Sequence, residues 1–488
     1  MKLKTALGIA LFSAVLMGLA PAPTGVWGLA WVALAPLWVV TIKTRSSKPA
    51  IVWGIVYHGF ALHWITGLHP LMWLGIPWIA SVAIVAVAWA FITLWGVICV
   101  AAWAWGLRLV KSPIVRILIG VALWCGSEMV RQWSALDWTS LAYTQSPGNL
   151  VILHLSRISG ALTVTAAIVL VNGLLAEAWL AKEKRFGAIA LMSFVVLHLI
   201  GFGFYQSAIT QNPEVKLTAG IVQGNVPTRI KLFAEGLKKA LDGYSSGYRS
   251  LSDQNVDFVV MPEGALPFLW QAPNLTNSVN LAISEKKTLA FVGTFFPEGR
   301  RYTQSLIAIS DGKTIARYNK IKLVPLGEYM PFEEVLGRLS PIQSSMTPGD
   351  FNQQFETALG RIAIGICFDS AFSEVFRRQV ARGAQFLITA SNLDPYSTVL
   401  MAQHEAHDVI RSIETDRWAV RVTNTGYSGI VNPHGQVKWR STPNQYQIHA
   451  DTIYRQQTET LYVKWGNWLT PVLLGTAILL LFISRNQG

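Results

Sequence analysis

The stretch "RIAIGICFDS", residues 361–370, is a β-branched apolar run that stops at a cysteine, Cys367, with an acid, Asp369, two residues on. Two other stretches share this construction: "VDFVVMPEGALPF" (256–268) delivers Glu263 just past a Val-rich run, and "YNKIKLVPLGE" (318–328) delivers Lys320. Around them lie further short runs rich in Val, Ile, Phe and Thr: "LTAGIVQG" (217–224), "TLAFVGTFF" (288–296), "TQSLIAIS" (303–310), "AQFLITASN" (384–392), "WAVRVTNT" (418–425) and "YSGIVNPHG" (427–435). Most close on Gly, Pro, Asn or Asp, as strands do. Residues 228–253 and 401–417 instead carry apolar residues at helical spacing. Strands that alternate with helices imply a mixed α/β sheet with layers packed on both faces. In such sheets chemistry gathers at strand C-termini, where Glu263 and Cys367 fall.

Outward from this block the composition changes. Apolar residues make up 52% of the chain and charged residues 14%, which is outside the range of an ordinary soluble domain. Most of the 20 Trp lie in the first 140 residues; Trp collects at membrane–water interfaces. Apolar runs at 5–22, 24–42, 50–66, 78–106, 113–131, 160–181 and 187–206 read as seven spans, and 467–484 as an eighth. Run 78–106 is long enough to tilt strongly or to be two segments. Lys2, Lys4, Lys43, Arg45, Lys48, Arg108, Lys111, Lys182, Lys184, Arg185 and Arg485 fall in alternate loops, while "PAPTG" and "TGLHPLMWLG" between them carry no Lys or Arg. Positive charge marks the cytoplasmic side. The expected division is a seven-helix transmembrane domain (1–206), an extracytoplasmic domain (207–460) and a C-terminal span (461–488). Residues 1–22 also resemble a signal peptide, but the next apolar run starts at once, which favours a hairpin of spans. Residues 132–158 read as an interfacial connector anchored by Trp138 and Tyr143, or as a floor for a lipid head group.

The net charge of +13 is scattered, with no dense basic run, so nucleic acid is not an expected partner. Of the three cysteines, Cys99 and Cys125 lie inside apolar spans, leaving Cys367 as the thiol of the polar block. No spacing suits a metal, and no glycine-rich phosphate loop is present. His404 and His407 are read as helix residues, and Asn392, Arg411, Arg421 and Asn424 as buried polar supports.

An acid, a lysine and a cysteine in matching positions suit acyl transfer through a thiol. A thiol is mostly protonated at neutral pH, so a carboxylate must take its proton during attack. An ammonium steadies the oxyanion that follows. Glu263 fits the base, Cys367 the nucleophile and Lys320 the electrostatic partner; Glu328 and Asp369 are placed to pair with Lys320 or orient it. Taken singly, each reads as blandly: a core cysteine, a turn acid, a solvated lysine. Phe268, Trp270, Met330 and Phe332 are expected to form an apolar rim that touches the bilayer and admits acyl chains, against the bland alternative of core packing.

The motifs "QGNVP", "MPEGALP", "YNKIKLVPLGEYMPFE", "ICFD" and "VTNTGYSG", in this order, resemble the nitrilase superfamily, and with the spans around them the chain resembles the apolipoprotein N-acyltransferase family. The resemblance implies a multi-span α-helical membrane protein carrying an αββα nitrilase-like domain. It implies a bacterial inner-membrane enzyme, with that domain on the periplasmic side. Such an enzyme passes an acyl chain from a phospholipid, through a thioester on Cys367, to the α-amino group of the S-diacylglyceryl cysteine of an apolipoprotein. It implies Glu263 as general base, Lys320 as oxyanion partner and Glu328 as a family glutamate, with no cofactor. Phe368-Asp369, Leu232 and "SNLDPYS" (391–397) depart from the family pattern. A membrane-anchored amidase or nitrilase with the same three residues is the alternative; a transporter or scaffold is a third reading.

Overall fold

Residue after residue of apolar sequence with little punctuation winds into helix across the first two hundred positions. The computed structural model describes all residues except 73–74, 135, 210, 271–276, 331–344 and 487–488. The chain divides into two compact units: Met1–Pro70 with Trp78–Ser207 and Lys464–Gly488, and Leu71–Pro77 with Ala208–Val463.

In the first unit, five helical segments among the described residues are long and apolar enough to cross a membrane: Trp27–Thr44, Trp78–Arg108, Pro113–Trp133, Ala161–Ala181 and Lys184–Tyr205. The sequence led us to expect eight. Runs 5–22 and 467–484 form the shorter apolar helices Leu3–Gly18 and Leu469–Ile483. Run 50–66 divides into Lys48–Ala61 and a 3-10 turn, His63–Leu68. Fourteen α-helical residues rise only about 21 Å, short of a ~30 Å hydrocarbon core. Run 78–106 is one uninterrupted 31-residue helix. Ile79, Val87, Phe91 and Leu94 along it, and Leu191, Met192 and Leu199 on Lys184–Tyr205, are exposed, an outward apolar skin suited to lipid.

Several buried polar groups inside this unit are paired. Pro36 has no N–H to give and breaks Trp27–Thr44 after Ala33. Asn172 repairs the break: its Oδ1 accepts from Leu34 and Ala35 N–H (both 2.9 Å), and its Nδ2 donates to Ala30 O (2.9 Å). Glu177 holds Arg116 through two 2.7 Å bonds and accepts from the Trp38 indole. Glu128 accepts from Ser140 Oγ, Leu141 N, Thr165 Oγ1 and Trp124 Nε1. Thr139 to Gln145, with Asp137 and Trp138, are buried, and this carboxylate accepts from Ser140 and Leu141 among them.

Among the described residues the second unit is built on thirteen strands: β1 (Lys216–Gln223), β2 (Phe258–Val260), β3 (Leu289–Glu298), β4 (Arg301–Ser310), β5 (Lys313–Asn319), β6 (Glu356–Thr357), β7 (Gly360–Arg361), β8 (Ala363–Ile366), β9 (Leu387–Ser391), β10 (Ala419–Thr423), β11 (Gly429–Val431), β12 (Val437–Arg440) and β13 (Gln447–Tyr454). One sheet runs β13-β1-β2-β3-β4-β5 and the other β12-β11-β10-β9-β8. Strands β1, β2 and β3 are parallel, as are β8, β9 and β10.

Side chains alternate across each strand. On one face of the first sheet Val222, Val259, Met261, Val292 and Ile307 pack with Tyr244, Tyr248 and Leu251 of helix α1 (Ala234–Ser252) and Val279, Ala282 and Ile283 of helix α2 (Ser278–Lys286). On the other face, Phe258 stacks on Phe386 (5.7 Å), next to β9, and Phe291 meets Phe355 (5.8 Å). Helices α3 (Ser373–Val380) and α4 (Thr398–Thr415) pack on the second sheet. The order is helix, sheet, sheet, helix, the αββα layering of the nitrilase-like fold.

The Arg116–Glu177 pair gives a stability prediction. Glu177→Leu alone strands a buried guanidinium and lowers stability by about 3–5 kcal/mol, whereas the double variant Arg116→Met/Glu177→Leu recovers most of it. Thermal unfolding of the detergent-solubilised protein reads this difference.

Candidate active site

Four strand ends converge on one place. Glu263 follows β2 by three residues, Lys320 follows β5, Cys367 follows β8 and Asn392 follows β9. Lys320 Nζ lies 2.9 Å from Glu263 Oε1 and 2.5 Å from Glu328 Oε1. Each acid is fixed by its second oxygen, Glu263 by the Asn392 N–H (2.8 Å) and Glu328 by the Val324 N–H (2.8 Å). The Cys367 thiol lies close enough to feel the charges of Glu263, Lys320 and Glu328. The acid, lysine and cysteine singled out in the sequence, together with Glu328, form one cluster, and all are largely buried.

Burial pushes the Cys367 thiol well above its ordinary range. The Glu263 and Glu328 carboxylates add to this, and Lys320 offsets them only in part. The resting site thus holds a thiol, not a thiolate. For Lys320, burial favours the neutral amine, but Glu263 and Glu328 outweigh it, and the ammonium is held well above the usual lysine value. Burial raises Glu328, with Lys320 pulling it back.

Cys367 adopts φ +50°, a left-handed conformation that costs a non-glycine residue about 1–2 kcal/mol. Asp369 secures the turn. Its Oδ2 accepts from Ile366 N (3.0 Å) and the Tyr318 hydroxyl (3.1 Å), and its Oδ1 from Lys322 N (2.7 Å). It therefore ties the cysteine to the lysine segment rather than pairing with Lys320. Burial raises its pKa to about 6, opposed by these N–H donors. From α4, His404 Nε2 lies 2.9 Å from Cys367 O, so it donates to that carbonyl. Its Nδ1 faces Arg421 and Asp408.

Behind the cluster, Asn424 Oδ1 accepts from Val226 N (2.9 Å), while its Nδ2 donates to Val226 O (2.7 Å) and Asn392 Oδ1 (3.0 Å). The segments "QGNVP", "SNLD" and "VTNTG" are thereby clamped together. Arg421 binds Asp408 and Tyr427 O, and Arg411 binds Ser373. Lys231, which sequence reading passed over, is buried beside Glu263 with its Nζ 3.4 Å from Glu263 O. Burial lowers it to about 8, against the pull of Glu263 and Asp394. The signal that marks it in the sequence is a lysine between Ile230 and Leu232 on a short apolar turn.

Among the residues expected to form an apolar rim, Trp270 (6% exposed) and Met330 (9%) are buried, and Phe268 packs against the core. Phe332 lies outside the described residues. Trp270 N donates to Phe295 O, and Leu269 bridges to Phe295, so this loop folds back along β3. Among the described residues, Leu232, Phe233, Leu269 and Leu326 are exposed large apolar side chains.

Comparison with known proteins adds family. Residues 13–174 match the apolipoprotein N-acyltransferase N-terminal domain, and residues 218–461 match the carbon-nitrogen hydrolase family. A protein of Nostoc sp. named apolipoprotein N-acyltransferase is 50% identical over 484 residues, covering 95% of this chain and 96% of its own. Proteins of the same name from Synechocystis sp. and Thermosynechococcus vestitus are each 39% identical, covering 94% and 96% of this chain and 96% and 93% of their own lengths.

The electrostatics predict an uncoupling. Glu263→Gln removes the charge that raises Cys367, so the pH profile of Cys367 alkylation by iodoacetamide shifts to lower pH. With Glu263 as the expected base, the same variant's turnover falls by roughly 10²–10⁴. Peptide mass spectrometry for alkylation and an acyl-transfer assay read the two effects.

Proposed function

Since the chain belongs to the apolipoprotein N-acyltransferase family, we propose that it completes lipoproteins by a two-step transfer through a thioester on Cys367. It is a membrane enzyme that transfers an acyl chain to the α-amino group of an S-diacylglyceryl cysteine. The donor in this reading is a membrane phospholipid, and the site faces the periplasmic side of the bacterial inner membrane. The observation that carries the mechanism is the Glu263–Lys320–Glu328 cluster closed around the Cys367 thiol.

In the first step Glu263 takes the thiol proton as Sγ attacks the ester carbonyl. Lys320 faces the oxygen that becomes negative, in a site already dry and ordered, where an ammonium acts at close to full strength. The tetrahedral adduct expels the glycerol oxygen, which takes the proton from Glu263, and a lysophospholipid leaves. In the second step the acceptor amine attacks the thioester carbonyl and gives a proton to Glu263. Collapse expels the sulfur, to which Glu263 returns the proton, restoring the resting thiol. No redox equivalent or soluble carrier enters the balance.

The substrates support a membrane site. Both carry long chains anchored in a bilayer, and drawing a chain into water costs about 0.8 kcal/mol per CH₂. A thiol kept protonated suits such a donor, because attack and proton removal occur together and no charge waits beside an apolar chain.

The test is covalent. Incubation with phospholipid adds an acyl mass to the Cys367 peptide that hydroxylamine removes, and a diacylated lipopeptide then receives that chain as an amide. An adduct on Cys99 or Cys125 overturns the site. Release of free fatty acid with no triacylated product overturns the acceptor and favours hydrolysis.

A further inference from the structure

The catalytic cluster leaves two hydrogen-bond donors unspent. Gln304 on β4 is 3% exposed, and its Nε2 has no hydrogen-bond partner among the described residues. Lys231 is 5% exposed, and among the described residues its Nζ donates only a long hydrogen bond, 3.4 Å, to the carbonyl oxygen of Glu263. Both nitrogens border one spot. Gly264 adopts φ +56°, and a Cβ placed there would lie 3.5 Å from Lys231 Nζ, 3.9 Å from Gln304 Nε2 and 3.9 Å from Phe295 Cε2. The glycine leaves that spot open, with a cationic donor on one side and an amide donor on another.

We infer that Lys231 and Gln304 form a subsite over Gly264 for a phosphate oxygen of the phospholipid donor. The inference rests on the proposal that the donor is a phospholipid and assigns how its phosphate is recognised. Three observations support an anionic oxygen. Both groups are donors with no acceptor facing them at proper length, and a buried donor left unpaired costs about 1–3 kcal/mol, which a ligand oxygen relieves. Lys231 is under-compensated: burial lowers it to about 8 despite two neighbouring acids. Those acids are committed elsewhere, Glu263 to Lys320 and the Asn392 N–H, and Asp394 to the Thr228 N–H at 2.6 Å. The third observation is place. The subsite adjoins the backbone of the base that returns a proton to the departing glycerol oxygen, and in a phospholipid the phosphate lies only a few bonds from that oxygen.

The acceptor cysteine carries a diacylglyceryl group without phosphate. The subsite therefore separates donor from acceptor: a phospholipid gains an ionic anchor beside Glu263, and a diacylglyceryl thioether does not. This keeps the free enzyme from spending the acceptor's own esters as donors.

The experiment compares two donors, phosphatidylglycerol and 1,2-diacylglycerol, in mixed micelles with the full-length protein. The rate at which the Cys367 thioester forms is read by intact mass. Wild type prefers the phosphatidyl donor. In Lys231→Met and in Gln304→Leu, the ratio of kcat/KM for the two donors falls about tenfold or more, as expected for a lost charged or donor contact, and the change lies in KM. Lys231→Arg, which keeps the charge, recovers part of it. An unchanged ratio, or an equal fall with both donors, overturns the inference and leaves the thioester mechanism standing. A wild-type enzyme that acylates with neither donor overturns the mechanism itself. Inorganic phosphate that competes with phosphatidylglycerol at equal concentration marks a free-anion site and also overturns the lipid assignment.

Discussion

One buried ammonium between two buried acids governs this molecule. Removing three charges from water costs several kcal/mol per ion, and mutual attraction repays it only if the remaining lone pairs are also satisfied. Here they are: the outer oxygens of Glu263 and Glu328 accept backbone N–H groups from Asn392 and Val324. Those donors come from the end of β9 and the turn after Lys320, so the ion cluster is a constraint on where strand ends lie. Two sheets packed face to face deliver β2, β5, β8 and β9 to one edge, and the cluster holds them there.

The thiol is the least comfortable member. It stands on a backbone with φ +50°, and it sits among more negative than positive charge. Both penalties are met by groups outside the cluster. Asp369 gathers N–H groups on both sides of the site, Ile366 before the cysteine and Lys322 after the lysine. His404 grips the cysteine's own carbonyl, and its far nitrogen is held by Arg421 and Asp408. Strain at the nucleophile is thus sustained by a chain of buried polar contacts that reaches back through α4 to β10.

Much of this was legible in the sequence, and what was not has physical reasons. The strands announced themselves through β-branched runs ended by turn residues, and Glu263, Lys320 and Cys367 stood at those ends. A long-range partner leaves no local mark. Asp369 meets Tyr318 and Lys322 across some fifty positions, while the sequence offered only an acid near a cysteine. His404 lies at ordinary helical spacing, and periodicity tells the buried face but not the carbonyl that waits there. Hydropathy counted apolar residues and so gave eight runs, but it does not see where a helix stops, as between Ala61 and His63. Trp270 was expected on an exposed apolar rim because nothing local shows that its loop folds back along β3.

A protonated nucleophile is the consequence that joins these parts. A thiolate would be intrinsically more reactive, but at this site it would add a further negative charge beside Glu263 and Glu328, with Lys320 already shared between them. Keeping the proton on sulfur removes that repulsion at rest and, in the proposed mechanism, leaves Glu263 to accept it when a carbonyl arrives. In the proposed mechanism the charge that then develops moves onto the carbonyl oxygen, toward Lys320. Burial thus acts twice: it raises the thiol so that the resting site is quiet, and it strips Lys320 of water so that its field meets the oxyanion undiminished.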